Sequence, residues 1–199
     1  MPTIHMICGP LGSGKTTFAR HLEGELPALR FTHDEWMAIV YGQDPPRDRF
    51  PDFFQRISTL INSLWPKCVD LGWDVILDLN FWKRRQREEV REMVAAHRGT
   101  AILYRLDCAK ALAWQRIQKR NSDPRALHIA PATFEALWPQ FEPPGPDEAA
   151  REVSAPQAAQ PHSGRCLSSR SSEPPLPPAK DPAAFPLNES AEYSSAGFP

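Results

Sequence analysis

Gly9-Pro10-Leu11-Gly12-Ser13-Gly14-Lys15-Thr16 decides the fold of this 199-residue chain. It meets the pattern Gly-x4-Gly-Lys-Thr through Gly9, Gly14, Lys15 and Thr16. Glycines let a loop turn tightly and bring its backbone N–H groups close to an anion. A helix opening at the last glycine adds its positive N-terminal end. Such a loop is built for the phosphates of a nucleotide. Lys15 reaches the β/γ-phosphate oxygens and the Thr16 hydroxyl ligates Mg²⁺ in this reading, so ATP (or GTP) and Mg²⁺ are the expected cofactors. The nucleotide-binding set runs Gly9, Pro10, Leu11, Gly12, Ser13, Gly14, Lys15, Thr16 and Thr17.

The flanks supply the context that the motif requires. Residues 3–8, Thr-Ile-His-Met-Ile-Cys, read as a buried parallel strand, and residues 14–23 as a helix stopped by Gly24. Further along, residues 29–32, 73–79 and 101–106 read as strands. Helices are expected over 34–41, 88–97, 109–119 and 133–141. Phe53, Ile57, Leu60 and Leu64 recur at helical spacing, with Pro66 ending or kinking that helix. Strands alternating with helices imply a three-layer α/β/α fold, a parallel sheet covered on both faces, with ligands beyond the carboxyl ends of the strands.

Composition divides the chain. Residues 1–142 are rich in Trp, Phe, Leu, Ile and Val, and hold 19 Lys+Arg against 17 Asp+Glu. That near-neutral balance does not mark an electrostatic nucleic-acid binder. Twelve of the 22 prolines fall in residues 143–199, where Ser, Ala and Glu also dominate. This stretch is too poor in apolar residues to offset its ordering entropy and reads as a disordered tail. Phe185, Tyr193 and Phe198 are its only large aromatic contact points. Cys8, Cys68, Cys108 and Cys166 form no CxxC pair. The first three lie in apolar stretches and read as buried free thiols, which fits a reducing compartment. With no signal peptide and no 18-residue apolar run, the expected location is the cytoplasm.

Two carboxylates stand at strand ends. Asp34 follows the second strand, where it could orient and deprotonate an acceptor hydroxyl or simply cap a helix. Asp78 closes Val75-Ile76-Leu77, where it could support Mg²⁺ or contact substrate, and Asn80 lies on the same side of the chain. Arg116 and Arg120 share a helix face ahead of the loop-like residues 121–125, either as a transition-state clamp delivered by a lid or as a solvated face. The run Lys83-Arg84-Arg85-Gln86-Arg87 after Trp82 could grip a phosphorylated acceptor or nucleic-acid end, or be solvated. Among the histidines, only His33 lies near these groups.

The order of Gly-Pro-Leu-Gly-Ser-Gly-Lys-Thr-Thr (9–17), Thr-His-Asp-Glu-Trp (32–36), Val-Ile-Leu-Asp-Leu-Asn-Phe (75–81), Leu-Asp-Cys-Ala (106–109), Trp-Gln-Arg-Ile-Gln-Lys-Arg-Asn (114–121) and Phe-Glu-Pro-Pro (141–144) resembles the bacterial P-loop kinase-like ATPases of the AAA_33 or zeta-toxin-like group. Its relatives include chloramphenicol phosphotransferase and the kinase module of polynucleotide kinases. The resemblance covers residues 1–144 and implies an adenylate-kinase-like core, with Asp34 as catalytic aspartate and Arg116 and Arg120 as lid arginines. It implies an ATP-dependent kinase without naming the acceptor: a small molecule or nucleotide, with a polynucleotide 5′-hydroxyl or a slowly hydrolysing switch module as rivals. No Asn-Lys-x-Asp motif marks a conventional GTPase. Such relatives often continue with a further short strand. Here the composition shifts instead, giving domains at 1–142 and 143–199.

Overall fold

The computed structural model describes residues 1–123 and 126–153. The chain divides into two units, Met1–Ala158 and Ala159–Pro199, and everything described lies in the first. The expectations for Pro124, Arg125, Cys166 and the aromatic residues of the tail fall outside the described residues.

Five strands form one parallel sheet: β1 (Thr3–Cys8), β2 (Ala28–Thr32), β3 (Asp74–Asp78), β4 (Thr100–Leu106) and β5 (Arg151–Val153). Their order is β2-β3-β1-β4-β5. The register pairs Met6 with Leu77, Ile7 with Tyr104, and Thr32 with Asp78. The helices are α1 (Lys15–Glu25), α2 (His33–Tyr41), α3 (Phe50–Asp70), α4 (Arg84–Ala96), α5 (Lys110–Arg120) and α6 (Pro131–Leu137). Side chains alternate along a strand. Ile4, Met6 and Cys8 therefore face Ile57, Ile61, Trp65 and Val94 of α3 and α4, while Ile7 on the other face meets Ala19 and Leu22 of α1. A third cluster joins Leu11 to Ala113, Ile117 and Phe134, seating α5 and α6 against the phosphate loop.

Several boundaries differ from the sequence reading. Helix α1 runs through Gly24 to Glu25. Helix α3 continues past Pro66 to Asp70, because the buried Trp65 and Val69 hold it on the sheet where local propensity alone would end it. Helix α4 starts at Arg84, so the basic run forms its first turn. The compositional change at 143 does not mark the end of the sheet: β5 pairs with β4 beyond it, Tyr104 opposite Arg151. Cys8, Cys68 and Cys108 are free, as expected, but only Cys8 is buried, and burial pushes its thiol up to about 11. No helix among the described residues is long and apolar enough to cross a membrane.

Candidate functional site

The phosphate loop joins the end of β1 to α1. Gly14 takes φ +100 and precedes the first helical residue, Lys15. The first helical bond is Phe18 N–H to Gly14 O, 3.0 Å, so the preceding N–H groups have no helical acceptor and form the anion-receptive end of α1. Gly12 adopts φ +75 under close contact: a Cβ there would lie 2.6 Å from Ala113 O of α5. Only glycine fits both the backbone and the space.

Leu11, Gly12, Gly14, Lys15, Thr16 and Thr17 line a cavity of about 290 Å³, closed from across by Asp34, Asn80, Arg116, Ile117 and Arg120. Leu11 and Ile117 give it an apolar wall. Gly9, Pro10 and Ser13 stand behind it and act through their carbonyls. The Lys15 ammonium donates to Gly9 O and Pro10 O, both at 3.0 Å. Arg116 Nη1 donates to Ser13 O at 3.2 Å and to Cys108 Sγ at 3.7 Å. Arg116 is thus tied to the loop rather than set on a solvated face.

Asp34 does not cap α2. The cap position belongs to Thr32 and the helix starts at His33, leaving the Asp34 carboxylate in the first turn, 3.7 Å from Arg120 Nη1. Arg120 also donates to Leu127 O at 3.4 Å. Asn80 holds φ +55, a left-handed conformation that asparagine tolerates better than most residues, and its side chain faces the cavity.

Asp78 ends β3, 5 % exposed, and the neighbouring Thr16 hydroxyl and Lys15 ammonium favour its charged form. Thr16 lines the cavity, and a threonine hydroxyl oxygen carries two acceptor lone pairs. Burial raises the Asp78 pKa and lowers that of Lys15, with the attraction between the two opposing both shifts. Among the described residues no group of three His, Cys, Asp or Glu could enclose a metal ion. Magnesium needs no such cage: it takes one or two protein oxygens and completes its shell with phosphates and water. A cavity-lining hydroxyl near a carboxylate whose Oδ2 has no partner among the described residues fits that requirement.

The basic run is drawn away from the cavity. Lys83 pairs with Glu142 at 3.0 Å, Arg84 with Glu88 at 2.6 Å and Asp147 at 2.5 Å, and Arg85 with Glu89 at 2.7 Å. Arg87 is fully buried, bidentate to Glu148 at 2.6 and 2.8 Å. Trp82 packs among the residues around Leu11 and Ile117. Local sequence gave no sign of Gln43, at the corner between α2 and α3. Its side-chain amide donates to Asn121 O (2.9 Å) and Asp123 O (3.0 Å), and its backbone carbonyl accepts from His128 N–H (2.9 Å). It fastens the segment after α5 to the element that carries Asp34.

A parallel sheet in this order, with a phosphate loop after its central strand, defines a kinase-like P-loop NTPase fold. The AAA_33 family of AAA domains matches residues 4–144, and the chain belongs to that family. No match was found among curated proteins. Among solved structures, a chain of the Pnkp1/Rnl/Hen1 RNA repair complex is similar at TM-score 0.58 and 20 % identity over 70 % of this chain. This chain spans only 43 % of that one. A gluconokinase from Sinorhizobium meliloti 1021 is similar at TM-score 0.55 and 13 % identity, covering 78 % of this chain and 84 % of its own. Chaetomium thermophilum Kti12, solved with ADP-AlF3, is similar at TM-score 0.54 and 18 % identity over 76 % of this chain and 88 % of its own. At these identities the likeness is one of fold.

Proposed function

We propose that the protein transfers the γ-phosphoryl group of ATP to a hydroxyl of a small-molecule or nucleotide acceptor. The observation that carries this reading is the convergence of Asp34, Arg116 and Arg120 on the cavity formed by the phosphate loop. Loop N–H groups and Lys15 bind and orient the β- and γ-phosphates. Thr16, with Asp78 behind it, would hold a magnesium ion, which when bound supplies charge neutralisation at the phosphate oxygens. Asp34 orients the acceptor and takes its hydroxyl proton as the acceptor oxygen bonds to phosphorus and the bond to the ADP oxygen breaks. Arg116 and Arg120 face the negative charge that spreads over the transferring group. Asn80 is free to hydrogen-bond the acceptor.

An acceptor gripped by the basic run finds little support, because each of its four cations already faces a carboxylate. A small acceptor is therefore favoured over a polynucleotide end. The test is ATP turnover with Mg²⁺ against a panel of sugars, nucleosides, other small alcohols and 5′-hydroxyl oligonucleotides, for wild type, Lys15→Ala and Asp34→Asn. Acceptor-stimulated turnover should fall about 10²–10⁴-fold in Asp34→Asn, the usual contribution of a general base, with ADP binding retained. Lys15→Ala should lose both. Full transfer by Asp34→Asn would remove Asp34 from the chemistry. Nucleotide binding without stimulation by any acceptor would turn the reading toward a slowly hydrolysing switch.

A further inference from the structure

Thr32 ends β2 directly beside Asp78, the end of β3. Paired residues of neighbouring parallel strands direct their side chains to the same face of the sheet. The Thr32 side chain therefore shares its face with the Asp78 carboxylate. Thr32 is 2 % exposed, and its Oγ1 has no hydrogen-bonding partner among the described residues. Asp78 Oδ2 has none either, so the two atoms do not bond each other.

The hydroxyl also passes over the bond nearest to it. Thr32 is the N-cap residue of α2, with the extended backbone of a cap (φ −141, ψ 128), and threonine is favoured there because its oxygen accepts from the first-turn N–H groups. Here it makes no such bond. Valine would fill nearly the same space in a strand with no polar atom to desolvate. A buried hydroxyl that neither caps nor pairs, next to a buried carboxylate oxygen that also lacks a partner, marks a place where both are satisfied from outside the chain.

We infer that Thr32 Oγ1 and Asp78 Oδ2 together receive a water of the hydration shell of the divalent cation held at Thr16. This rests on the nucleotide and magnesium reading given above. Magnesium gives up its waters reluctantly and keeps several when bound with phosphates, so its affinity depends on groups that hydrogen-bond those waters. Thr32 acts in this arrangement as a positioning residue: it touches neither nucleotide nor acceptor, and fixes the hydrated ion from below.

The test follows ADP-induced stabilisation, not catalysis. Melting temperature is measured at saturating ADP while free Mg²⁺ is varied, and again with ADP in EDTA, for wild type, Thr32→Ser, Thr32→Val and Thr32→Ala. Thr32→Val should need about tenfold more Mg²⁺ for the half-maximal shift, the usual cost of losing an outer-shell partner, and Thr32→Ser should stay near wild type. The shift in EDTA should be the same in all four. Thr32→Ala removes the hydroxyl with a smaller side chain and decides the matter if valine does not fold. A Mg²⁺ midpoint unchanged in a folded variant without the hydroxyl overturns the inference. So does a variant that weakens ADP equally with and without Mg²⁺, since that is a general defect of the fold. A wild type with no ADP shift either in EDTA or with Mg²⁺ would instead sink the nucleotide reading itself, and an ADP shift indifferent to Mg²⁺ would overturn the inference together with the magnesium site.

Discussion

His33 stands one residue before Asp34 and is buried against α3. Ser58 Oγ donates its single proton to Phe54 O at 2.8 Å, so its oxygen accepts from His33 Nε2–H at 2.9 Å. That leaves Nδ1 as a buried lone pair without a partner among the described residues, and protonation would create a buried N–H with none of them to receive it. Burial accordingly lowers the His33 pKa, opposed by Asp34, and lowers that of His5, with Asp74 opposing and Arg151 adding to the shift. A depressed folded pKa means the unfolded chain binds the proton more readily. The stability these groups contribute is present above the ordinary value of 6.5 and is lost as pH falls through their folded values. Melting temperature should fall with pH below 6.5, before the carboxylates titrate, and fall less steeply in His33→Gln, where His5 alone remains of the two. An equal slope in that variant would assign the loss elsewhere. The glycines give a second residue-scale prediction. Gly12→Ala forces a Cβ against Ala113 O at positive φ, and should cost about 1–3 kcal/mol and abolish the ADP-induced shift. Gly24→Ala, inside α1 with nothing within 4 Å of the added Cβ, should stabilise by about 0.5–1 kcal/mol, read by chemical denaturation. The phosphate loop was legible in sequence because its geometry is dictated by adjacent residues. Asp34 was ambiguous because catalysis and capping favour the same residue type, and the start of α2 at His33 removes the capping role. Gln43 was illegible because its side-chain partners lie 78 and 80 residues away.

The strands and most helices followed from apolar periodicity, and the exceptions have a common cause in distant contacts. Helix α4 opens on Arg84-Arg85-Gln86-Arg87, a poor start beside the positive end of the helix dipole. It forms because carboxylates arrive from elsewhere in the chain. Glu142 accepts from the Arg84 backbone N–H at 3.1 Å, Asp147 pairs with the Arg84 guanidinium, and Glu148 takes both arms of Arg87. Arg87 also donates to Phe81 O (3.2 Å) and Glu142 O (3.0 Å), so one buried guanidinium binds the segment between β3 and α4 and the segment leading to β5 to the first turn of α4. A charge count along the sequence cannot separate this clamp from a solvated basic face. Glu148→Gln leaves Arg87 as an uncompensated buried charge and should cost about 3–5 kcal/mol in chemical denaturation. Arg87→Met combined with Glu148→Leu should recover much of that loss, since a buried ion pair is often replaceable by apolar side chains but not divisible. Equal losses in the single and double variants would mean that the hydrogen bonds to Phe81 O and Glu142 O, rather than the ion pair, hold the segment.

At the scale of the whole molecule, the order β2-β3-β1-β4-β5 brings the ends of β1, β2 and β3 together, and α5 returns two arginines over them. Every group assigned to phosphate handling lies within residues 9–120, yet the sheet that carries them is completed only by β5 at Arg151–Val153. The strand Arg-Glu-Val was invisible to periodicity because it is three residues long and only its last residue is apolar. Its position is set by pairing with β4, by Arg105 reaching Glu152 at 3.6 Å, and by the Arg87–Glu148 clamp just before it. The described sheet therefore extends past the compositional boundary of 142, to β5 at Arg151–Val153. A chain ending at 142 keeps the phosphate loop, Asp34, Asp78 and both arginines. It loses Glu148, Asp147 and β5, so Arg87 is buried without its counter-ion and the outer edge of β4 is bared. It should be less stable than a chain ending at 158 by at least the roughly 3–5 kcal/mol expected for Glu148→Gln, since it loses the strand as well. The chain ending at 158 should match the full chain in melting temperature and in the shift produced by ADP with Mg²⁺. The combination Arg87→Met in the 142-residue chain separates the two losses, because it removes the unpaired charge and leaves only the missing strand. If the 142-residue chain already melts with the 158-residue one, β5 and its clamp contribute nothing to stability. If it fails and Arg87→Met partly restores it, the buried ion pair is what joins the final strand to the phosphate-binding half of the sheet.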